Sequence, residues 1–102
     1  MTDATGLAKG ATMTVAAAND ATSAVYPRKN CDLRITGTGT WTVEVQEQYP
    51  DASWVSIPGE SYTAATARVI EPASARPLRA KCTAYTSGSP VVSLWADAAG
   101  AR

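Results

Sequence analysis

The run Trp41-Thr42-Val43-Glu44-Val45-Gln46-Glu47-Gln48 alternates apolar and polar side chains, and a second short run, Trp54-Val55-Ser56-Ile57, answers it. Period two puts successive side chains on opposite sides of an extended chain, so the first run predicts a strand with one buried and one wet face. Pro50-Asp51-Ala52-Ser53 between them has turn chemistry, because Pro fixes its own φ and Asp and Ser bond back onto nearby backbone. The two runs together predict a β-hairpin. They constrain architecture far more than chemistry.

The rest of the chain extends that pattern. Thr12-Met13-Thr14-Val15-Ala16 reads as a first strand and residues 22–26 as a second, ended by the basic turn Pro27-Arg28-Lys29-Asn30. Cys31-Asp32-Leu33-Arg34-Ile35 alternates cleanly, and Thr36-Gly37-Thr38-Gly39 lets the chain reverse into the Trp41 strand. Pro58-Gly59 predicts a break, with short strands after it at 61–63 and 68–71. Leu78-Arg79-Ala80-Lys81-Cys82-Thr83-Ala84-Tyr85 predicts a second central strand, with Leu78, Ala80, Cys82 and Ala84 inward and Arg79, Lys81, Thr83 and Tyr85 outward. Thr86-Ser87-Gly88-Ser89-Pro90 turns into the last strand, Val91-Val92-Ser93-Leu94-Trp95-Ala96. About eight short strands without a helical pattern predict an all-β fold, an antiparallel β-sandwich of immunoglobulin-like or jelly-roll-like type. Residues 1–11 read as an extended N-terminal arm, 12–97 as one sandwich domain and 98–102 as a short tail.

With 102 residues the chain has room for one core. Nine basic and nine acidic residues give no net charge, which argues against nucleic acid or an anionic membrane as partner. No apolar run approaches the roughly 20 residues that span a bilayer, and the N-terminus lacks a secretory signature, so synthesis in a cytoplasm is expected. Phenylalanine is absent; three Trp, four Tyr and the aliphatic residues must fill a lean core.

Histidine is also absent, removing the commonest general base and the commonest zinc ligand, and two Cys alone cannot close a tetrahedral metal site. No glycine-rich strand-to-helix turn offers a phosphate cradle. A carboxylate pair is available, for instance Glu44 with Glu47 or Asp51, but charges on a wet strand face are usually just solvated. The expectation is a protein with no catalytic residue, no cofactor and no metal. Cys31 and Cys82 both fall on predicted inner faces; a cross-sandwich disulfide and two buried free thiols are both open, with a reducing cytoplasm favouring thiols. Trp41 points inward with Val43 and Val45. Trp54 and Trp95 are candidates for exposure, as a sugar platform or as interface anchors. The Arg79 stripe faces Glu44, Gln46 and Gln48 on a neighbouring strand, so cross-strand pairing accounts for it better than nucleic acid does.

The segment from Gly39-Thr40-Trp41-Thr42-Val43, the reply Trp54-Val55, and the later Arg79 strand leading into Tyr85-Thr86-Ser87-Gly88 resemble small β-sandwich virion proteins of tailed bacteriophages. The resemblance implies a non-enzymatic structural protein on the capsid surface of a virion, decorating and cementing the shell by bridging subunits of the major capsid protein. It also implies a homo-oligomer, with a trimer favoured. Thr2, Leu7, Lys9 and Met13 in and beside the arm, with Trp54 and Trp95, are the interface candidates. The alternatives are a head-fibre or tail accessory protein that binds host-surface glycans, and a bacterial immunoglobulin-like binding module.

Overall fold

The computed structural model describes residues 9–71 and 76–97. Seven strands lie among them: β1 (Gly10–Thr14), β2 (Cys31–Thr36), β3 (Gly39–Gln48), β4 (Trp54–Tyr62), β5 (Thr66–Ile70), β6 (Leu78–Gly88) and β7 (Val91–Ala96). They form two antiparallel sheets, one ordered β1-β7-β2-β5 and the other β4-β3-β6, packed in a sandwich-like arrangement.

Alternation in the sequence decides which residues fill the space between the sheets. Cys31, Leu33 and Ile35 of β2 with Val92, Leu94 and Ala96 of β7 face Trp41, Val43 and Val45 of β3 with Leu78, Ala80 and Cys82 of β6, and all are buried. Burying each aliphatic side chain is worth roughly 1.5–3 kcal/mol, so this layer holds the sheets together. Trp41 contributes its large ring to that layer, while its indole Nε1 finds no hydrogen-bond partner among the described residues.

Irregularities in β3's pairing correct the simple alternation in three places. Opposite β6 the register slips between Thr40 and Trp41 and again between Thr42 and Val43, so Thr86 and Thr83 are extra residues on β6. Each bulge reverses the side-chain phase. Ala84, expected inside, is therefore exposed; Tyr85, expected outside, packs against the core and donates its hydroxyl to Gly88 O at 2.6 Å. Pro58-Gly59, expected to end a strand, instead sits in a bulge of β4: Gln46 pairs Ser56, Glu44 pairs Ser61, and Ile57-Pro58-Gly59-Glu60 all oppose Val45. A residue without an N–H is tolerated there because no ladder bond is asked of it, and Gly59 takes a φ of 85°. Ser61 and Tyr62 consequently belong to the end of β4 rather than to a separate strand, and Thr63 lies in the turn after it.

The expected strand at 22–26 is realised only through backbone contact with β6. Thr22 N donates to Ala80 O, Val25 and Leu78 exchange both bonds, and Asp20 O accepts from Cys82 N, with isolated bridges at Ala21 and Val25. The segment thus covers half of the β6 edge without forming a regular strand. At the other end of the chain β1 already includes Gly10 and Ala11, which the sequence assigned to the arm; residues 1–8 and 98–102 lie outside the described residues.

Candidate functional site

The outward side chains of each sheet follow from the register. On the four-stranded sheet, Gly10, Trp95, Asp32 and Val69 form one row across β1, β7, β2 and β5. Thr12, Ser93, Arg34 and Ala67 form the next, and Thr14, Val91 and Thr36 the third. Trp95 is 52% exposed, Val69 48% and Val91 36%. The indole lies flat across its β1 neighbour: a Cβ placed on Gly10 would stand 2.5 Å from the ring. Thr12 and Ser93 share a hydrogen bond at 3.2 Å. The result is a mildly apolar, neutral face with one large aromatic toward one end.

The outward face of the three-stranded sheet is different in kind. Arg79 stacks over the Trp54 ring, 4.4 Å from its centroid, and donates Nε–H to Gln46 Oε1 at 2.8 Å. Ser56 donates to Glu44 Oε1, Gln46 donates to Ser56, and Thr83 reaches Glu44 Oε2 at 3.4 Å. Burial against the ring pulls the Arg79 pKa down from its ordinary value. Trp54 is half-buried under the guanidinium, so it is not the open platform expected of it.

Three further features frame these faces. Glu60, delivered inward by the β4 bulge, is buried and takes both Nε and Nη2 of Arg68 on β5, at 2.8 and 2.9 Å, and the Tyr62 hydroxyl. This clasp joins the two sheets along the β4–β5 side. Burial and the Glu60 carboxylate push the Tyr62 phenol up to about 12. Asp97, just after β7, accepts the backbone N–H groups of Arg28, Lys29 and Asn30 at 2.7–3.2 Å. Burial alone raises the Asp97 pKa, but those donors and the Lys9 charge outweigh it and hold the carboxyl below its usual range. Finally, a cleft of about 530 Å³ at one end is lined by Tyr26, Gln48, Tyr49, Pro50, Ala52, Arg76 and Pro77, with Arg76 stacked 4.1 Å over Tyr49.

The cysteines are both free and buried, one in each sheet. Burial, then the neighbouring Asp32 charge, pushes the Cys31 thiol up to about 12, and burial raises Cys82 as well, so neither is a nucleophile at neutral pH.

Of the interface candidates, Thr2 and Leu7 lie outside the described residues. Lys9 is exposed, and its carbonyl accepts from Ala96 N. Met13 turns inward and packs against the core, because β1 is a strand of the sheet and its odd-numbered residues face the interior. Among them, Trp95 alone combines exposure with a place on a strand flanked on both sides, β7 lying between β1 and β2. Sequence reasoning missed Val69 and Val91 as its companions, since alternation tells which side a residue is on but not which strands are neighbours. Among the described residues no group of three or more Cys, Asp or Glu side chains is placed to hold a metal ion, and no helix is long and apolar enough to cross a membrane. Comparison with known proteins gives no match, whether to family models, curated proteins or solved structures.

Proposed function

We propose that this chain is a non-enzymatic structural protein of a phage virion, which docks on the capsid through the outer face of its four-stranded sheet and bridges major capsid protein subunits. The observation that carries this reading is the contrast between the faces: one ties Trp54, Arg79, Gln46, Ser56, Glu44 and Thr83 into a chain of contacts, while the other leaves Trp95, Val69 and Val91 open around a single Asp32 and Arg34. A neutral face with an exposed Trp suits a protein partner, because Trp is enriched where interfaces concentrate binding energy. Clamping works by mass action: a protein that binds only the assembled shell stabilises it in proportion to its occupancy. Heat-stressed particles with and without the protein test this. Better survival with it, at a copy number in the hundreds per particle, supports the role; equal survival removes it.

Topology adds support. When residues 19–25 are counted with the strands, the partners in chain order are first with last, second with seventh, third with sixth and fourth with fifth. That nesting, a long antiparallel ribbon folded over on itself, favours the jelly-roll-like reading, an architecture used by viral capsid and lectin domains. An immunoglobulin-like domain instead places its last strand beside its sixth, and the free Cys31 and Cys82 also speak against that module. Two alkylations on unfolding without reductant check the thiols. The glycan-binding reading draws on the Tyr26–Tyr49–Arg76 cleft, and a glycan array without binders counts against it.

A further inference from the structure

We propose that β1 is a self-pairing edge: a second copy of this chain adds its own β1 antiparallel to it, about a twofold axis through Thr12. The inference goes beyond the shell reading and does not depend on it. A sheet edge carries unpaired N–H and C=O groups that recruit another strand unless something blunts them. Among the described residues, three edges are blunted. β4 is interrupted by its Pro58-Gly59 bulge, the segment over β6 is held only by isolated bridges, and β5, no longer than β1, carries a charge, with Arg68 turned in to Glu60. β1 has no such device. Gly10-Ala11-Thr12-Met13-Thr14 holds no Pro and no charge, and its register against β7 is unbroken.

The hydrogen-bond phase decides which groups are offered. Lys9 O accepts from Ala96 N and Val15 N donates to Pro90 O, so the odd-numbered residues bond to β7. Gly10, Thr12 and Thr14 therefore direct their N–H and C=O groups outward. With Thr12 opposite Thr12 of the second copy, Gly10 lies opposite Thr14, and all three pairs are of the hydrogen-bonded kind, about six bonds in all. The side chains suit this register. Ala11 meets Met13 on the inner side and Gly10 meets Thr14 on the outer side, small against large each time, with a Thr–Thr pair at the centre. Because Gly10 has no side chain, the Trp95 indole reaches over β1 to the seam. Charge does not oppose pairing, since the two copies of Lys9 stand at opposite ends. A seam of five residues a side is far smaller than the roughly 20–30 a side of a stable interface. The dimer is therefore weak in solution and gains strength where copies are held side by side.

Sedimentation equilibrium of the whole chain, taken up to millimolar concentration, reads the association directly. A monomer–dimer equilibrium is expected. Thr12→Pro deletes a backbone donor that points away from β7 and, with the hydroxyl, one exposed contact to Ser93, so the fold is kept while association weakens about tenfold or more. Thr12→Cys tests the register independently: Cα atoms across that pair stand about 5.5 Å apart, within disulfide reach, whereas Thr14→Cys faces Gly10. Under mild oxidation T12C gives a covalent dimer and T14C does not, the native thiols being buried. A monomer at millimolar concentration, a trimer indifferent to Thr12→Pro, or equal cross-linking of both Cys variants overturns the proposal.

Discussion

The two outer faces of this sandwich are both pleated antiparallel surfaces with a Trp near one end, yet they present opposite chemistry to solvent. On the three-stranded sheet, Trp54 lies under Arg79, and Arg79, Gln46, Ser56, Glu44 and Thr83 form a chain of contacts. A partner arriving there must break bonds already made. On the four-stranded sheet, Trp95 lies over a glycine, and among the described residues the polar contacts of that face reduce to the Thr12–Ser93 bond, so an arriving apolar surface gains burial with little to displace. A face that satisfies itself is scaffold; a face that does not is available for contact.

That contrast can be broken experimentally. The largest effect is expected from Trp95→Lys, which puts a charge on the proposed docking face: if that face docks, retention on capsid particles falls by about 2 kcal/mol or more while the free protein's melting point hardly moves. Particle pelleting with quantified occupancy reads it. The same assay on Trp54→Ala is the control, and an equal loss there would erase the distinction between the faces.

Next comes Asp97→Ala, which frees the turn at 28–30 from the end of the strand carrying Trp95 and lowers unfolding stability by about 1–2 kcal/mol in urea titrations. Because the folded Asp97 carboxyl titrates below its usual value, its contribution is complete above the ordinary carboxylate range near about 4 and disappears as pH falls through the lower folded value. The wild type should therefore lose stability into acid more steeply than Asp97→Ala. Parallel slopes would show that the carboxylate is not the anchor.

Gly10→Ala sharpens the picture at about 1 kcal/mol, since the new Cβ pushes the indole off β1. Trp95 fluorescence should shift and docking weaken without any change of charge. The smallest effect belongs to Arg79→Met on the saturated face, under about 1 kcal/mol in stability and none in docking.

Much of the scaffold was legible before any coordinates. The alternation from Trp41 to Val45 and from Leu78 to Cys82 names the inner layer, because a strand buried on one side has no freedom to vary that pattern. The phase reversal after Cys82 was not legible, since Thr83 and Thr86 look like ordinary outward residues and a bulge is set by the pairing partner. Glu60 was missed for a related reason. Beside Pro58-Gly59 it reads as part of a wet turn, whereas the bulge carries it inward to Arg68. Trp95 was nominated from its position alone, but its role rests on Gly10, a residue some 80 positions distant that no local pattern connects to it.

That separation governs how the protein is made. Thr12 and Ser93 touch across 81 positions of chain, so the β1–β7 ladder can close only after everything between them has been synthesised. Loop-closure entropy is met before such a contact returns anything, and topologies of this kind fold in milliseconds to seconds rather than microseconds. Until β1 docks, β7 is itself a bare edge with its tryptophan uncovered on both sides. A β7 whose own β1 has not yet docked offers its edge equally to the β1 of a neighbouring copy, which is the condition for strand exchange.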